Sequence, residues 1–575
     1  MQLLNKLGDL PRRMQMLDVF RGYNHGLKIR EGEWHEEQNM TAEDFPVLST
    51  RRPRRVVRQL TAPAGLITKD AMAVIEGSNA VYDDYTVDLG LTSDGPKQLI
   101  SMGAYLLIWP DKKYLNTQDL TDYGSMENTV AVDGTVSVTL CDRDGKSYGD
   151  YTISETAPAN PSHGDMWMDT SNAEVPVLKE FSADSGMWVT IPTTYLKITG
   201  AGIDSGFQQY DGVTIEGLTG GMEGVNGSHV IYATGENYLV VVGIMRQRSL
   251  SQEGGLTVKR TVPDMDFVTE CDNRVWGCKY GLVDGKPVNE IYASKLGDFK
   301  NWNCFMGLST DSFAAGRGSD GVFTGAITHL GHPLFFREDC IERVYPSSTG
   351  AHQIVTIAAR GVQRGCWRSL AIVGETLFYK SRSDVCAFSG ALPASVSEEL
   401  GDEVYDDARA GAAGSVYYIS MRRSDGTRHL FTYDTAKRIW HREDDTCAMM
   451  FTTTDGVLYW IDEKDNSLVC AAGMESENFP WQVTSGVIGY DLAENEYISR
   501  LLIRLDTTGI IQTEVRYDSG PWLDRGKAMG RGLGSVVIPV SPRRCDHLQI
   551  RISGKGQCKI YSIAKYIQRG SDVHW

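Results

Sequence analysis

The sequence has no long apolar run. No uninterrupted apolar stretch reaches the roughly 18 residues that a membrane-spanning helix requires, and residues 1–9 lack the apolar core of a secretory leader. We therefore expect no membrane insertion, and a protein that is made and kept in a cytoplasm until it is assembled.

Cysteine pairs with metal-ligand spacing are also absent. The chain contains 11 cysteines, an odd number, and none forms a Cys-x-x-Cys pair. Several, such as Cys278, Cys386 and Cys470, stand within apolar segments typical of strands, which predicts buried free thiols. We expect no disulfide framework, no structural zinc, no other metal and no cofactor.

Signatures of catalysis are scarce. The sequence contains no phosphate-binding loop and no His-Glu-x-x-His, and His329 and His332 fall in a strand and turn where their side chains diverge. Glycoside hydrolysis needs only two carboxylates that flank the sugar, but no motif surrounds any candidate pair. We predict that the protein is not an enzyme and keep a depolymerase as an alternative. The candidate pairs are Asp83 with Asp84, Asp406 with Asp407, and Asp444 with Asp445.

Positive charge is outweighed by negative charge. The chain has 57 lysines and arginines against 74 aspartates and glutamates, a formal net charge of −17. Proteins that grip nucleic acid neutralise phosphates with basic side chains, so this composition argues against that task. It is compatible with a surface past which DNA slides, or with acidity that only keeps an abundant subunit soluble.

What the sequence does contain is a regular spacing of glycine turns. Gly331, Gly374, Gly414 and Gly456 lie 43, 40 and 42 residues apart, each between two short apolar runs. Each unit reads as strand, glycine turn, strand, polar turn and strand, which is repeated hairpin chemistry. A period of about 40–45 residues is typical of the blades of a β-propeller.

Related phrases at residues 99–109, 232–242 and 272–277 extend the repeat towards the N-terminus. We therefore predict an all-β protein with a six- or seven-bladed β-propeller, formed by residues 66–136 and 196–477. A β-sandwich with regular hairpins is the alternative.

Residues 1–65 do not resemble a blade. An acidic, polar stretch over residues 31–46 is followed at once by a cluster of arginines, and adjacent blocks of opposite charge suit an arm that docks on a neighbouring subunit. A solvated loop and contact of the arginines with DNA are alternatives. The candidate inter-subunit residues are Trp34, Phe45, Arg51, Arg52, Arg54 and Arg55.

The composition changes again over residues 137–195, where we predict an inserted small β module. It resembles the Gly-Asp-x-Trp modules found in many phage tail and carbohydrate-active proteins. Its tryptophans, Trp167 and Trp188, are candidates for a platform on which a sugar stacks. The alternative is that they form the core of a module too small to have another.

The last segment, residues 478–575, alternates apolar and polar positions, for example at Leu548, Ile550 and Ile552. Period-two alternation indicates half-buried strands, and we predict a C-terminal, jelly-roll-like β-sandwich. Trp522 in this segment is a third candidate for glycan contact.

Several phrases resemble one family. Residues 293–302, 319–327, 361–372 and 543–547 are similar to virion propeller proteins of phages, the stabilisation or tail nozzle proteins of short-tailed phages. The resemblance covers most of the chain outside the insert, and its motifs are structural, so it implies a role and not a reaction.

The resemblance implies a homo-oligomeric ring, expected to be a hexamer, at the distal end of a phage tail and assembled in the bacterial cytoplasm. Its implied partners are a head-to-tail adaptor above and needle, plug or fibre proteins below, with DNA passing through without specific binding. A distal tail protein that binds host-surface glycan through the insert or the C-terminal segment is the alternative.

Overall fold

The computed structural model describes residues 12–92, 95–172, 175–473, 478–488, 496–540 and 547–569. Within these ranges the chain forms 52 strands and three short 3₁₀ helices, and no α-helix. The protein is thus all-β, as the sequence predicts. Residues 543–546 of the C-terminal phrase lie outside the described residues. The 3₁₀ helices are Glu223–Val225, Trp367–Ser369 and Glu398–Leu400.

Seven four-stranded sheets, numbered here in chain order, account for most of the repeat. Sheet 1 is Pro63–Thr68, Met72–Glu76, Asn79–Tyr82 and Tyr85–Asp88; sheet 2 is Gln98–Met102, Tyr105–Trp109, Lys113–Asn116 and Tyr123–Ser125; sheet 3 is Phe267–Cys271, Arg274–Val283, Lys286–Ala293 and Phe313–Gly316. Sheet 4 is Gly325–His329, His332–Phe336, Cys340–Tyr345 and Gln353–Ala358; sheet 5 is Ala371–Val373, Thr376–Lys380, Val385–Phe388 and Ala394–Ser395; sheet 6 is Tyr405–Ala413, Val416–Arg423, Arg428–Asp434 and Ile439–Arg442.

Sheet 7 differs because its fourth strand comes from the N-terminal part of the chain. Its first three strands are Ala448–Thr454, Val457–Asp462 and Ser467–Cys470, and Arg55–Gln59 pairs antiparallel with the third. The strand that precedes sheet 1 in sequence therefore completes the last sheet of the series.

The periodic glycines occupy the turns that the sequence predicts. Gly331, Gly374, Gly414 and Gly456 join the first and second strands of sheets 4 to 7, and their φ angles are 74°, 60°, 57° and 76°. Glycine adopts positive φ at no steric cost, whereas a β-branched residue does not.

The segment between sheets 2 and 3 forms two further sheets. The insert sheet has eight strands and the small sheet has four, the latter being Thr152–Ser154, Met166–Asp169, Val177–Ser182 and Met187–Thr190. The insert sheet runs Asn128–Val132, Leu256–Arg260, Gly212–Glu216, Gly227–Gly235, Tyr238–Val242, Tyr195–Thr199, Thr135–Cys141 and Ser249–Glu253 in spatial order.

Two features of this segment differ from the prediction. Non-repeat structure extends over residues 128–260 and not only over 137–195. Residues 232–242, which the sequence suggests as a propeller repeat, lie in the insert sheet. The reason is that a hairpin with a turn at Asn237 has the same local signal in either kind of sheet.

Two six-stranded sheets, the terminal sheets, combine both ends of the chain. Terminal sheet A runs Met40–Thr41, Leu48–Thr50, Cys558–Arg569, Glu496–Thr507 and Gly532–Pro539, with Arg12–Leu17 also paired to Cys558–Arg569; terminal sheet B runs Gly22–Tyr23, Glu33–Gln38, Pro480–Ser485, Leu548–Lys555, Ile510–Tyr517 and Leu523–Met529. One hydrophobic core takes residues from both sheets, including Trp34, Trp481, Ile503, Ile552 and Ile560.

The chain divides into two compact units. The first consists of residues 1–96, 335–342 and 356–575, and the second of residues 97–334 and 343–355. In the first unit, sheet 1 packs on sheet 7 through Leu66, Val74 and Ile461, and Ala448–Thr454 lies against Pro63–Thr68.

In the second unit, sheets 2 and 3 share a core that contains Trp109, Val275 and Trp302. The insert sheet has its own core, in which Val138, Ile198 and Val258 are fully buried.

Candidate functional site

The tryptophans of the small sheet form an aromatic cluster. Strand register pairs Phe181 with Trp188 and Trp167 with Lys179, and alternation along the strand from Lys179 to Phe181 puts all four side chains on one face. The ring centroids of Trp167 and Trp188 are 5.5 Å apart at an interplanar angle of 66°, and those of Phe181 and Trp188 are also 5.5 Å apart.

The two tryptophans differ in exposure. Trp167 is 6% exposed; its Nε1 donates to the Ser154 carbonyl at 3.0 Å, and the Lys179 ammonium lies 4.8 Å from a ring centroid. Trp188 is half-buried. The structure thus places Trp167 in the interior, as the core alternative has it, and leaves Trp188 as the tryptophan of the pair that a ligand can reach.

The opposite face of the small sheet is anchored. Met168 and Leu178 are 0% and 1% exposed and belong to the core of the insert sheet. On the strand that carries Trp188, Met187 is 63% and Val189 is 50% exposed. This face is thus anchored at Met168 and Leu178 and exposed on the strand Met187–Thr190, and the aromatic residues lie on the opposite face.

Trp522 belongs to the first compact unit, whereas Trp167 and Trp188 belong to the second. It is half-buried, with the guanidinium of Arg551 at 4.0 Å from a ring centroid and that of Arg516 at 5.8 Å. Two cations already interact with its π-face.

The residues predicted to form an inter-subunit arm are mostly engaged within the chain. Trp34 is 2% exposed in the core of the terminal sheets, and Arg51 is buried and donates through Nε to Asn39 Oδ1 at 2.7 Å. Arg55 is exposed in the strand that completes sheet 7. Trp34 pairs with Ser485 and Arg55 with Cys470, each more than 400 positions away in sequence, and local charge patterns do not reveal such pairing. Phe45 at 39% exposed and the exposed Arg52 remain candidates for contact with a neighbour.

Arg54 is held by two carboxylates, a hydroxyl and an aromatic ring. Its Nη1 donates to Asp444 Oδ2 at 2.6 Å and to Thr446 Oγ1 at 2.9 Å, its Nη2 pairs with Glu443, and its guanidinium lies 4.9 Å from the Trp460 ring. Burial opposes the charge, but the two carboxylates outweigh it and raise the pKa of Arg54. Burial raises the pKa of Asp444, and the positive charge of Arg54 lowers it. The net result is a pKa below the usual value of an aspartate.

Arg51, Arg52 and Arg54 line a cavity of about 410 Å³ in the first unit. Arg52 pairs with Glu43, Lys437 with Asp434, and Arg54 with Glu443. Most charged side chains of the wall are thus paired with one another, and apolar side chains complete the lining. The other lining side chains include Thr41, Tyr418, Leu430, Thr432, His441 and Trp460.

The candidate carboxylate pairs have structural partners. Asp83 and Asp84 occupy a turn with φ of 47° and 64°. Asp406 accepts from Arg422 Nε at 2.8 Å. Asp407 pairs with Arg409 and Arg428.

The sequence contains one pattern with the spacing of a nucleophile elbow, which the search for catalytic motifs did not identify. Residues 145–149 spell Gly-Lys-Ser-Tyr-Gly, the pattern of a nucleophile elbow, which requires a strand before and a helix after the serine. Ser147 forms an isolated bridge with Cys141, and residues 148–151 are not helical. The pattern therefore has no elbow geometry.

Within the described residues, no helix has the length and apolar character needed to cross a bilayer. No known protein family and no curated protein matches the chain.

Solved structures with some likeness include three of different kinds. They are a structure of U3-55K (8% identity, TM-score 0.30, 72% of this chain and 97% of that chain), the exo-β-1,3-galactanase of Phanerochaete chrysosporium (8%, 0.22, 52% and 95%) and the Trypanosoma rangeli sialidase (9%, 0.23, 97% and 96%). At these scores the likeness carries no argument about function.

Proposed function

We propose that this chain is a structural protein of a phage tail that forms a ring-shaped nozzle or hub, connects the adaptor to the tail tip and conducts DNA during ejection. The proposal starts from the resemblance of its sequence phrases to tail nozzle proteins. The described contacts are compatible with a rigid wall, because charged side chains serve internal pairing.

The finer fold that we propose is a seven-bladed β-propeller joined to a β-sandwich built from the terminal sheets. The observation that carries this is the completion of sheet 7 by Arg55–Gln59, immediately before sheet 1 in sequence. A last blade that takes its outer strand from the start of the chain locks a circular array. The packing of sheet 1 on sheet 7 supports the same arrangement.

The surroundings of the candidate catalytic carboxylates support a structural role. A glycosidase needs two carboxyl groups about 5–10 Å apart on either side of a substrate. Here Asp407 and Asp444 face arginines, and Asp83 and Asp84 stabilise a turn. The net charge of −17 suits a conduit, since an acidic lumen repels passing phosphates.

Location in the particle tests the proposal. Antibodies against the purified chain, applied to intact phage particles, are expected to label the distal tail in electron micrographs. Label on the capsid alone, or a chain that mass spectrometry does not detect in purified particles, contradicts the proposal.

Glycan binding is the second candidate, and the half-buried Trp188 beside Phe181 favours it. On a glycan array, the full chain is expected to bind a sugar whose signal Trp188→Ala removes and Met187→Ala, a neighbouring exposed change, retains. No binding, or equal binding by both variants, rejects this role for the cluster.

A further inference from the structure

Three potential metal ligands meet in the N-terminal part of terminal sheet B. Ligand atoms of His25, His35 and Glu36 all lie within 4.8 Å of one another. The two imidazole rings stack with centroids 4.2 Å apart and an interplanar angle of 11°, and His25 Nδ1 is 3.7 Å from Glu36 Oε1.

A β-bulge explains how two consecutive residues reach the same cluster. In a regular strand, His35 and Glu36 point to opposite faces. The pairing of Glu33–Gln38 with Pro480–Ser485 shifts register between Trp34 and Glu36, and a bulge of this kind re-aims the side chain of the extra residue. Trp34 and Glu37 on either side stay buried, so the bulge turns only the middle of the strand outward.

His25 is fixed in place from its backbone and from its ring. Its amide donates to the Glu399 carbonyl at 2.8 Å, and the amide of Asn24 donates to the Trp34 carbonyl at 2.8 Å. The Tyr23 ring stacks on the imidazole at 5.9 Å with an interplanar angle of 3°. His25 Nδ1 also lies at 3.0 Å from the His35 carbonyl, so the ring is held over His35 and its Nε2 is the nitrogen left for a metal.

One imidazole nitrogen of the cluster has an unsatisfied hydrogen-bonding capacity. His35 Nδ1 is buried and has no hydrogen-bond partner among the described residues. A buried polar atom without a partner is costly, and a neutral imidazole nitrogen is a common metal ligand in proteins. The half-buried positions of His35 and Glu36 leave a path for a cation.

We propose that His25, His35 and Glu36 bind one divalent transition-metal ion, with Zn²⁺ as the best fit and water in the remaining position. Two imidazoles and one carboxylate are a donor set that zinc accepts, whereas Ca²⁺ and Mg²⁺ prefer oxygen ligands alone. Imidazole lone pairs lie in the ring planes, so loading requires one of the stacked rings to rotate about its Cβ–Cγ bond.

The bound ion joins the segment that carries His25 to strand Glu33–Gln38, so its role is to fasten the N-terminal part of the chain to terminal sheet B. The inference departs from the expectation of no metal and is independent of the proposed tail function.

The test uses the full chain, stripped with a chelator and titrated with ZnSO₄ by isothermal titration calorimetry. We expect one Zn²⁺ per chain and a higher melting temperature with zinc. His25→Ala, His35→Ala and Glu36→Gln should each weaken binding by about 100-fold or more, since even changes beyond the ligand shell cost about 10–100-fold. His163→Ala, which removes an exposed histidine elsewhere, should bind like the wild type, and excess Ca²⁺ should not compete.

Absence of zinc binding by the wild-type chain overturns the proposal, as does binding that all three ligand variants retain. If an alanine variant does not fold, the wild-type chain loaded with Co²⁺ decides. Visible absorption bands of low-coordinate cobalt that Zn²⁺ abolishes support the site, and their absence contradicts it.

Discussion

At the residue scale, Arg54 is a buried ion-pair partner whose removal should destabilise the first unit. It satisfies two acidic residues, Glu443 and Asp444, whose side chains are 8% and 20% exposed. Removing one partner of a buried ion pair leaves uncompensated charge and costs about 3–5 kcal/mol. Arg54→Ala is expected to lower the free energy of unfolding by that amount, measured by chemical denaturation.

Arg52→Ala is the matched control for this prediction. Arg52 pairs with Glu43, but the two side chains are 68% and 44% exposed, and exposed pairs contribute about 0–1 kcal/mol. Equal effects of the two substitutions contradict the assignment of Arg54 as a buried anchor.

Glu463 gives a prediction about acid sensitivity. Burial raises its pKa, but hydrogen bonds from Arg409 and from Cys447 outweigh burial and lower the pKa from 4.5 to about 2. A carboxylate with a depressed pKa stabilises the folded state above its unfolded pKa, and this contribution disappears as the pH falls through the folded value. The difference in unfolding midpoint between wild type and Glu463→Gln should therefore be constant above about pH 5 and shrink towards pH 2. A difference that does not change over this range contradicts the prediction.

At the scale of elements, the strand Arg55–Gln59 holds sheet 7 together. The double substitution Val56→Pro and Val57→Pro removes two consecutive amides where Arg55–Gln59 pairs with Leu468 and Val469 across a register shift. Loss of ladder hydrogen bonds should destabilise the chain by about 1–3 kcal/mol and increase hydrogen exchange in residues 467–470.

The control keeps both amides and the β-branched shape. Val56 and Val57 are 60% and 45% exposed, so Val56→Thr and Val57→Thr should change stability by no more than about 0.5 kcal/mol. Unchanged exchange in the proline variant contradicts a closing role for this strand.

Local patterns account for what the sequence predicts correctly at this scale. The turns at Gly374 and Gly456 depend on positive φ and flanking apolar runs, both of which are written in adjacent residues. The pairing of Arg55–Gln59 with Ser467–Cys470 joins residues some 400 positions apart, and no local signal specifies it. The cluster of His25, His35 and Glu36 could not be predicted for the same reason, because it depends on a bulge and on pairing with a strand that is distant in sequence.

The predicted site residues follow the same division. That Trp167 and Trp188 belong to one small β module was predictable, because their strands are neighbours in sequence. Which of the two tryptophans is buried depends on the packing of Ser154 and Lys179 around Trp167. The sequence pattern does not specify this packing.

At the scale of the whole molecule, net charge leads to a prediction about DNA. With a formal charge of −17 and with Arg51 and Arg54 bonded within the chain, the protein should not bind duplex DNA at 150 mM salt more tightly than about 10⁻⁴ M. Fluorescence anisotropy with a labelled duplex measures this. Tighter binding that weakens steeply as salt rises contradicts a conduit that DNA passes without adhering.

The central claim is that copies of this chain form a closed ring at the distal tail. Cryo-electron microscopy of intact particles, reconstructed without imposed symmetry, tests it most directly. We expect a ring of six copies, each with a seven-bladed propeller and with acidic side chains towards the lumen. A single copy per tail, or a ring whose lumen is lined by basic side chains, would contradict it.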